Sequence, residues 1–540
     1  MKRFLTALII AFCLITTPAF ASHFIGTARI NDIGKAGNVG FGVGICPPQL
    51  VPNGFTPMSG YDNPMSDNYG NYQYKDGSVC VYIPRFYYKI TAGTNTIIIA
   101  SIWDYPTMAA ANAAGYAMHR AFIDGGVHQM GFFVDKYENS KNAYGTGYIA
   151  SSIKNGLPLS TASTHNPIYS ATPGVGLTAC AGNYYYETIN AAHARDGVNG
   201  AINASSIWHV HSRFQWSALA MLSLAHGQAA TSTAWNAWYH ATYNYPLGLN
   251  NNNLSNADVD VAGLVYTSDG YVSGNSAKTG SGVPFNKTTH NGQACGVADM
   301  NGNMYEINIG MTCIASTMAV TGASQANPCA ITVASTTALT TGDWIQITSV
   351  VGMTQLNDKV YKITVLDGTT FHLDGIDSTG YTAWSSAGTI MYGKWYAANE
   401  STAMKTFTPG NSGATDHWGA TGVAALMTKM TMSAMPFKPG GVFLQRYGSS
   451  TNQVLDEATS GDGWILTGLG LPRDANAINT TGTDRFGKDF FYQYVRNELC
   501  VRSGGYWYDG SNTGLWLVSW HAHRTHSHGH VSLRCALYPE

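Results

Sequence analysis

The phrase GVADMNGNMYEINIG, running from Gly296 to Gly310, decides how this chain is read. Asp299, Asn301 and Asn303 stand at alternate positions around Gly302, a spacing of short polar side chains that turns a backbone tightly. Two uses of such a turn stay open. The side chains can hydrogen-bond their own backbone, or their oxygens can hold a structural calcium ion. The set is poor in the carboxylates that a strong calcium site uses, and no other cofactor is expected.

A second informative stretch closes the chain, GGYWYDGSNTGLWLVSWHAHRTHSHGHVSLRCAL, Gly504 to Leu537. Tyr506, Tyr508, Asp509, Ser519, His521, His523, His526, His528 and His530 are strewn among Gly, Trp, Ser and Arg positions of fixed appearance. His, Tyr, Asp and Ser are each reached from an Asn codon by changing one adenine. Side chains of this kind on a rigid frame supply contact area and adaptable hydrogen bonds at low entropic cost. The nine residues are therefore expected on one exposed ligand-binding face. Trp507 reads as frame, whereas Trp516 and Trp520 suit either a core or a ligand-facing position. Trp520 is placed on the face with the nine. Gly504, Gly505, Gly510 and Gly514 allow turns that a Cβ would block. Arg524 and Arg534 are expected to hydrogen-bond buried carbonyls, or a carboxylate such as Glu306.

The alternating histidines have a rival use. His521 with His523, and His526 with His528 and His530, share faces if extended, and imidazoles so arranged bind Zn²⁺ or Ni²⁺. Carboxylates that would orient them are scarce nearby, so catalysis by such a metal is not expected.

Composition narrows the function classes. The chain has 540 residues, 11% of them charged, with 60 Gly, 32 Tyr and a formal net charge of −2. Globular chains average about 25% charged residues, and this near-neutral balance gives no electrostatic footprint for nucleic acid. Lys2 and Arg3, the apolar run Leu5 to Ile15 and Ala19-Phe20-Ala21 form an export signal expected to be cleaved after Ala21. No later stretch reaches the roughly 20 apolar residues of a membrane helix. Cysteines 46, 80, 180, 295, 313, 329, 500 and 535 remain beyond the signal. Export permits disulfides, and Cys500 with Cys535, which bracket the His-rich segment, is the first candidate pair. Spacing alone does not give connectivity.

Along the chain, residues 22–64 read as an irregular or short-stranded segment. Val79 to Ile90 reads as a strand disturbed by Pro84. A helical run follows Pro106 and Thr107, and Phe132 to Glu138 reads as a strand. Phe214 to His226 is apolar nearly all round, a buried helix. Residues 315–393 change character, with ITVAS, DWIQITSV, KVYKITVL, TTFHLDGI and GTIMYG alternating as short strands between turns. This inserted all-β module resembles the FCCH-like modules of phage structural proteins through ANPCAITV, GDWIQI and VVGMTQLNDKVYKI.

Three phrases, GFFVDKYENSK (Gly131 to Lys141), GVADMNGNMYEINIG and the SGGYW…VSLRCAL ending, resemble the sulfatase-modifying, formylglycine-generating family. In that family the middle phrase reads approximately G-x-x-D-M-x-G-N-V-x-E-W. Asp299, Met300, Gly302, Asn303 and Glu306 match it, and Ile307 replaces the Trp. The closing segment resembles the variable repeat of proteins diversified by retroelements. These resemblances imply an α+β, C-type-lectin-like fold over 65–314 and 394–540, with 504–534 variable and 315–393 inserted. Copper-dependent members of the enzyme family use a close pair of thiolates, the soft ligands that select Cu(I). No cysteine lies between Cys500 and Cys535, so a non-catalytic member is implied. The expected function is a secreted or surface-displayed protein that binds an unknown protein or glycan. A phage tail-fibre protein of the virion is the alternative, and a metal-dependent enzyme of the formylglycine-generating type the more distant one.

Overall fold

The computed structural model describes residues 24–539 except 26, 163–168, 171–176, 179–183, 240–253, 255–262, 271–275, 404–425, 431–445, 449–452, 475–476, 483–485, 494–498 and 524–525. Residues 1–21, Cys180 and Arg524, which figured in the expectations above, lie outside the described residues.

Local sequence explains where the elements stop. The strand expected from Val79 to Ile90 is two strands, Val79–Pro84 and Phe86–Ile90, belonging to different sheets. Pro84 cannot donate to a ladder, and Arg85 N–H turns away to Met130 O at 2.8 Å. Thr107 caps Met108–Ala113, its hydroxyl accepting from Ala110 N–H at 3.1 Å. That helix ends early because Gly115 takes φ +80°, the left-handed conformation that closes helices. Arg213–Ala229 is the buried helix, opened by a reciprocal capping box between Ser212 and Gln215.

Two sheets frame the main body. The outer sheet has six strands in the order His209–Val210, Cys535–Leu537, Gly131–Asp135, Val79–Pro84, Asn71–Tyr74, Phe55–Pro57, all antiparallel. The other has five, in the order Phe491–Gln493, Gly514–His523, Leu499–Gly504, Tyr305–Asn308, Val531–Ser532. Its outermost pairings are parallel and its inner ones antiparallel. Helix Arg213–Ala229 packs against the five-stranded sheet, where Trp216 Nε1–H donates to Leu515 O at 2.7 Å.

Buried ion pairs bind these layers. Arg534 donates to both carboxylate oxygens of Glu306 (2.6 and 2.9 Å), to Asp135 O and to Ala298 O, joining the five-stranded sheet to the outer one. The expectation for Arg534 thus has a definite partner. Arg195 forks onto Asp135 at 2.8 Å, pairs with Asp76 at 3.3 Å and lies over the Trp208 ring.

The remaining large unit is a closed barrel. Met311–Ala323, Ala330–Val333, Thr370–Leu373, Lys359–Val365, Trp344–Thr348 and Thr389–Ala398 pair in that order, and the first and last strands pair with each other. Closure satisfies every edge of a small sheet. Ile331, Ile345, Ile347, Ile363, Phe371 and Ile390 fill a core separate from that of the main body. Met311–Ala323 and Thr389–Ala398 also run on as a paired stalk, with Cys313 opposite Trp395 and Met427–Lys429 added beside Tyr396 to Ala398.

Two expectations are corrected here. The α+β, C-type-lectin-like fold does not hold: the chain is mostly β, 35% strand against 14% helix, with a six-stranded barrel. Short turn-forming phrases specify local bends and not the balance of sheet to helix. The Cys500–Cys535 bridge is absent, both thiols being free and buried. They stand in different sheets, and Cys535 Sγ–H instead donates to Asn139 Oδ1 at 3.1 Å. Cysteines 46, 80, 295 and 329 are also free.

Candidate functional site

The five-stranded sheet positions the site through an irregularity in one strand pair. Between Leu499–Gly504 and Gly514–His523 the register runs Cys500 opposite Ala522 and then Arg502 opposite Ser519. One extra residue therefore sits on the longer strand, a β-bulge of the kind that re-aims side chains beside binding sites. It turns Arg502, Ser519 and His521 to one side. Arg502 Nη2–H donates to Ser519 Oγ at 3.1 Å and meets His521 Nε2 at 3.1 Å, while Ser519 Oγ lies 3.0 Å from His521 Nδ1.

A cavity of about 410 Å³ opens over this point, lined by Tyr305, Phe490, Tyr492, Arg502, Tyr506, Asp509, Ser519, His521, His526, His528 and His530. Its size lies within the range usual for small-ligand sites, about 300–1,000 Å³. The rings pack in a continuous wall. Tyr492 meets His521 edge-on at 4.1 Å, and His528 stacks on His530 at 3.6 Å. His530 stacks in turn on Tyr506 at 3.8 Å. Arg502 lies over the Tyr305 ring at 4.8 Å and reaches His526 Nδ1 at 3.4 Å.

Burial sets the protonation of this wall. It draws His530 down to about 2, helped by His528 and Arg502, so that imidazole stays neutral. It pushes Asp509 up to about 6 and Tyr506 up to about 12, the latter helped by the Asp509 charge. The Arg502 guanidinium is also held below its ordinary value by burial.

Of the ten residues expected on the binding face, Tyr506, Asp509, Ser519, His521, His526, His528 and His530 line the cavity. Tyr508 and His523 are exposed but do not line it. Ser519 and His530 are more enclosed than an exposed face implies, at 1% and 9% exposure. Trp520 is a correction. It is fully buried against Trp395 of the barrel stalk, ring centroids 4.2 Å apart, and so takes no part in the face.

Tyr305, Phe490, Tyr492 and Arg502 were not foreseen. Phe490 and Tyr492 alternate in an aromatic run, and Arg502 is a lone charge in an otherwise uncharged strand, LCVRSG. Those signals are weak without the register that brings the strands together.

At the turn of 299–303, Asp299 and Asn303 take the left-handed conformation, φ 64° and 71°, which Asp and Asn tolerate. Asp299 Oδ2 accepts from Gly280 N–H at 2.6 Å and Asn303 Oδ1 from Ala277 N–H at 2.8 Å. Asn303 Nδ2–H donates to Glu138 at 2.8 Å. These oxygens tie the turn to the distant segment 277–280 and not to its own backbone. Among the described residues no group of three or more His, Cys, Asp or Glu is arranged to hold a metal ion. The cavity histidines 526, 528 and 530 stack as rings.

Comparison with known proteins gives one family match, the FCCH domain of ubiquitin-activating enzyme E1, over residues 326–394. The matched interval contains the phrases ANPCAITV, GDWIQI and VVGMTQLNDKVYKI and covers most of the barrel. It includes none of the cavity residues. No curated protein matches the chain. The match overturns the resemblance to C-type-lectin-like, sulfatase-modifying and retroelement-diversified proteins, because the family found is the FCCH domain and none of these.

Proposed function

We propose that this chain is an exported ligand-binding protein that recognises a protein or glycan target through the cavity lined by Tyr506, His521, His526, His528 and His530. One observation carries this reading. Seven residues singled out as binding side chains, scattered from 506 to 530, gather round a single cavity with Tyr305, Phe490, Tyr492 and Arg502. The wall is aromatic and hydrogen-bonding, which suits recognition. Among the described residues no helix is long and apolar enough to cross a membrane. Export rests on the basic, apolar and small-residue regions of Lys2 to Ala21, and mass spectrometry of the secreted protein is expected to find Ser22 as its first residue.

Binding is tested on immobilised glycan and protein arrays. The double variant Tyr506→Ala, His528→Ala is expected to lose the signals that the parent protein gives, with its urea midpoint changed little. Array signals that survive this variant unchanged refute the cavity as the binding site.

A further inference from the structure

We propose that the cavity selects a carboxylate-bearing sugar, a uronic-acid-type pyranose, whose carboxylate pairs with Arg502. This rests on the cavity being the binding site. Arg502 is only 3% exposed. A guanidinium taken out of water needs a counter-charge or a full set of acceptors. Elsewhere in this fold that need is met: Arg195 has Asp76 and Asp135, and Arg534 has Glu306. Arg213, the remaining deeply buried one, donates to the carbonyls of Leu469 and Gly470 and to Ser503 Oγ.

Arg502 has neither a carboxylate partner nor backbone carbonyls among the described residues. Among the described residues no carboxylate forms an ion pair with it, and its terminal nitrogens meet one hydroxyl and two imidazoles. Arg502 lines the cavity, and a planar guanidinium fork matches a carboxylate through two parallel hydrogen bonds. Asp509, the acidic side chain in the cavity wall, acts on the Arg502 charge through space but forms no ion pair with it, being engaged by Tyr506 N–H at 3.3 Å and hydrogen-bonded to Tyr305.

The rest of the wall favours a sugar over a peptide carboxylate. The cavity is open to solvent on one side and, at about 410 Å³, has the volume of a small-ligand site. Round the cation, Ser519, His521, His526, His528 and Tyr506 each present a nitrogen or oxygen able to donate or accept. Ring hydroxyls flanking a carboxylate call for that pattern. Phe490 and Tyr492, stacked at 5.4 Å, supply a flat apolar wall for the ring carbons.

The test is titration calorimetry of the secreted protein with D-glucuronate, D-glucose and the acidic dipeptide analogue N-acetyl-aspartyl amide. Glucuronate is expected to bind at least about tenfold more tightly than glucose, the effect of one charge-assisted hydrogen-bonded pair. Arg502→Gln is expected to lose that preference. Arg502→Lys is expected to keep part of it, since a point charge lacks the fork. Asp509→Asn is expected to tighten glucuronate binding several-fold by removing a like charge and to leave glucose binding unchanged. Equal binding of glucose and glucuronate, or an unchanged preference in Arg502→Gln, overturns the proposal. So does tighter binding of the aspartyl amide than of glucuronate. In these cases loss of array signals in the Tyr506, His528 variant leaves the binding function itself standing.

Discussion

Replacing Trp520 by Ala separates the core face of the Gly514–His523 strand from its cavity face. Trp520 is fully enclosed, and its ring meets that of Trp395 at 4.2 Å, where the barrel stalk lies against the five-stranded sheet. The stalk is tied to the same sheet by Thr312 Oγ1–H donating to Leu499 O at 3.2 Å, so the neighbours cannot easily collapse into the space left behind. Truncating such a ring costs about 3–5 kcal/mol, transfer and cavity contributions together. Exposed substitutions stay within roughly 0.5 kcal/mol, which is the expectation for His523→Ala and Tyr508→Ala, the latter residue being 58% exposed. Urea unfolding followed by tryptophan fluorescence and far-ultraviolet circular dichroism measures all three variants. A cost under about 1 kcal/mol for Trp520→Ala, or one as large for His523→Ala, refutes the assignment of faces.

Further predictions concern the ion pairs, the barrel and pH. Glu306→Ala leaves Arg534 buried without its carboxylate and is expected to cost about 3–5 kcal/mol in urea unfolding, whereas the apolar pair Glu306→Leu with Arg534→Met recovers much of the loss; equal loss in both argues against the pair. Ala315 lies opposite Gly393, just outside the residues paired with Trp344–Thr348, so replacing 316–392 by Asn-Gly, a two-residue hairpin turn, is expected to leave one cooperative unfolding transition and intact array binding. Loss of either shows that the barrel is needed by the main body. His530 has a folded pKa drawn down to about 2, so below about 6.5 the unfolded chain takes up a proton that the folded one refuses, and stability falls by up to about 1.4 kcal/mol per pH unit. Asp509, raised to about 6, acts with the opposite sign: its contribution is complete below about 3.9 and is lost as pH rises through 6. His530→Asn is therefore expected to flatten the loss of stability between pH 6 and 4, and an unchanged acid limb in urea titrations at each pH contradicts the neutral, enclosed imidazole.

What the sequence determined by itself was local. The period-two runs of 330–373 are legible because alternation reports strands directly, and Pro84, Ser212 and Gly115 mark ends through their own backbone chemistry. The Tyr- and His-rich segment is legible as a run of aromatic and hydrogen-bonding side chains, and Arg534 as a buried donor with Glu306 within its reach. The fold class was not legible. The phrases at 131–141 and 296–310 specify turns and buried polar contacts, and these sit equally well in a chain that is mostly β.

Tertiary structure decided the rest, because each remaining question depended on register or on which surfaces meet. Ser519 and Trp520 are neighbours of opposite fate, and Trp520 turns inward only because Trp395, more than a hundred residues earlier, is there to cover it. Arg502 enters the cavity because a bulge sets it opposite Ser519. Cys500 and Cys535 stay apart because their strands join different sheets. A linear sequence records the spacing of such residues, but register and sheet membership arise from packing over the whole chain.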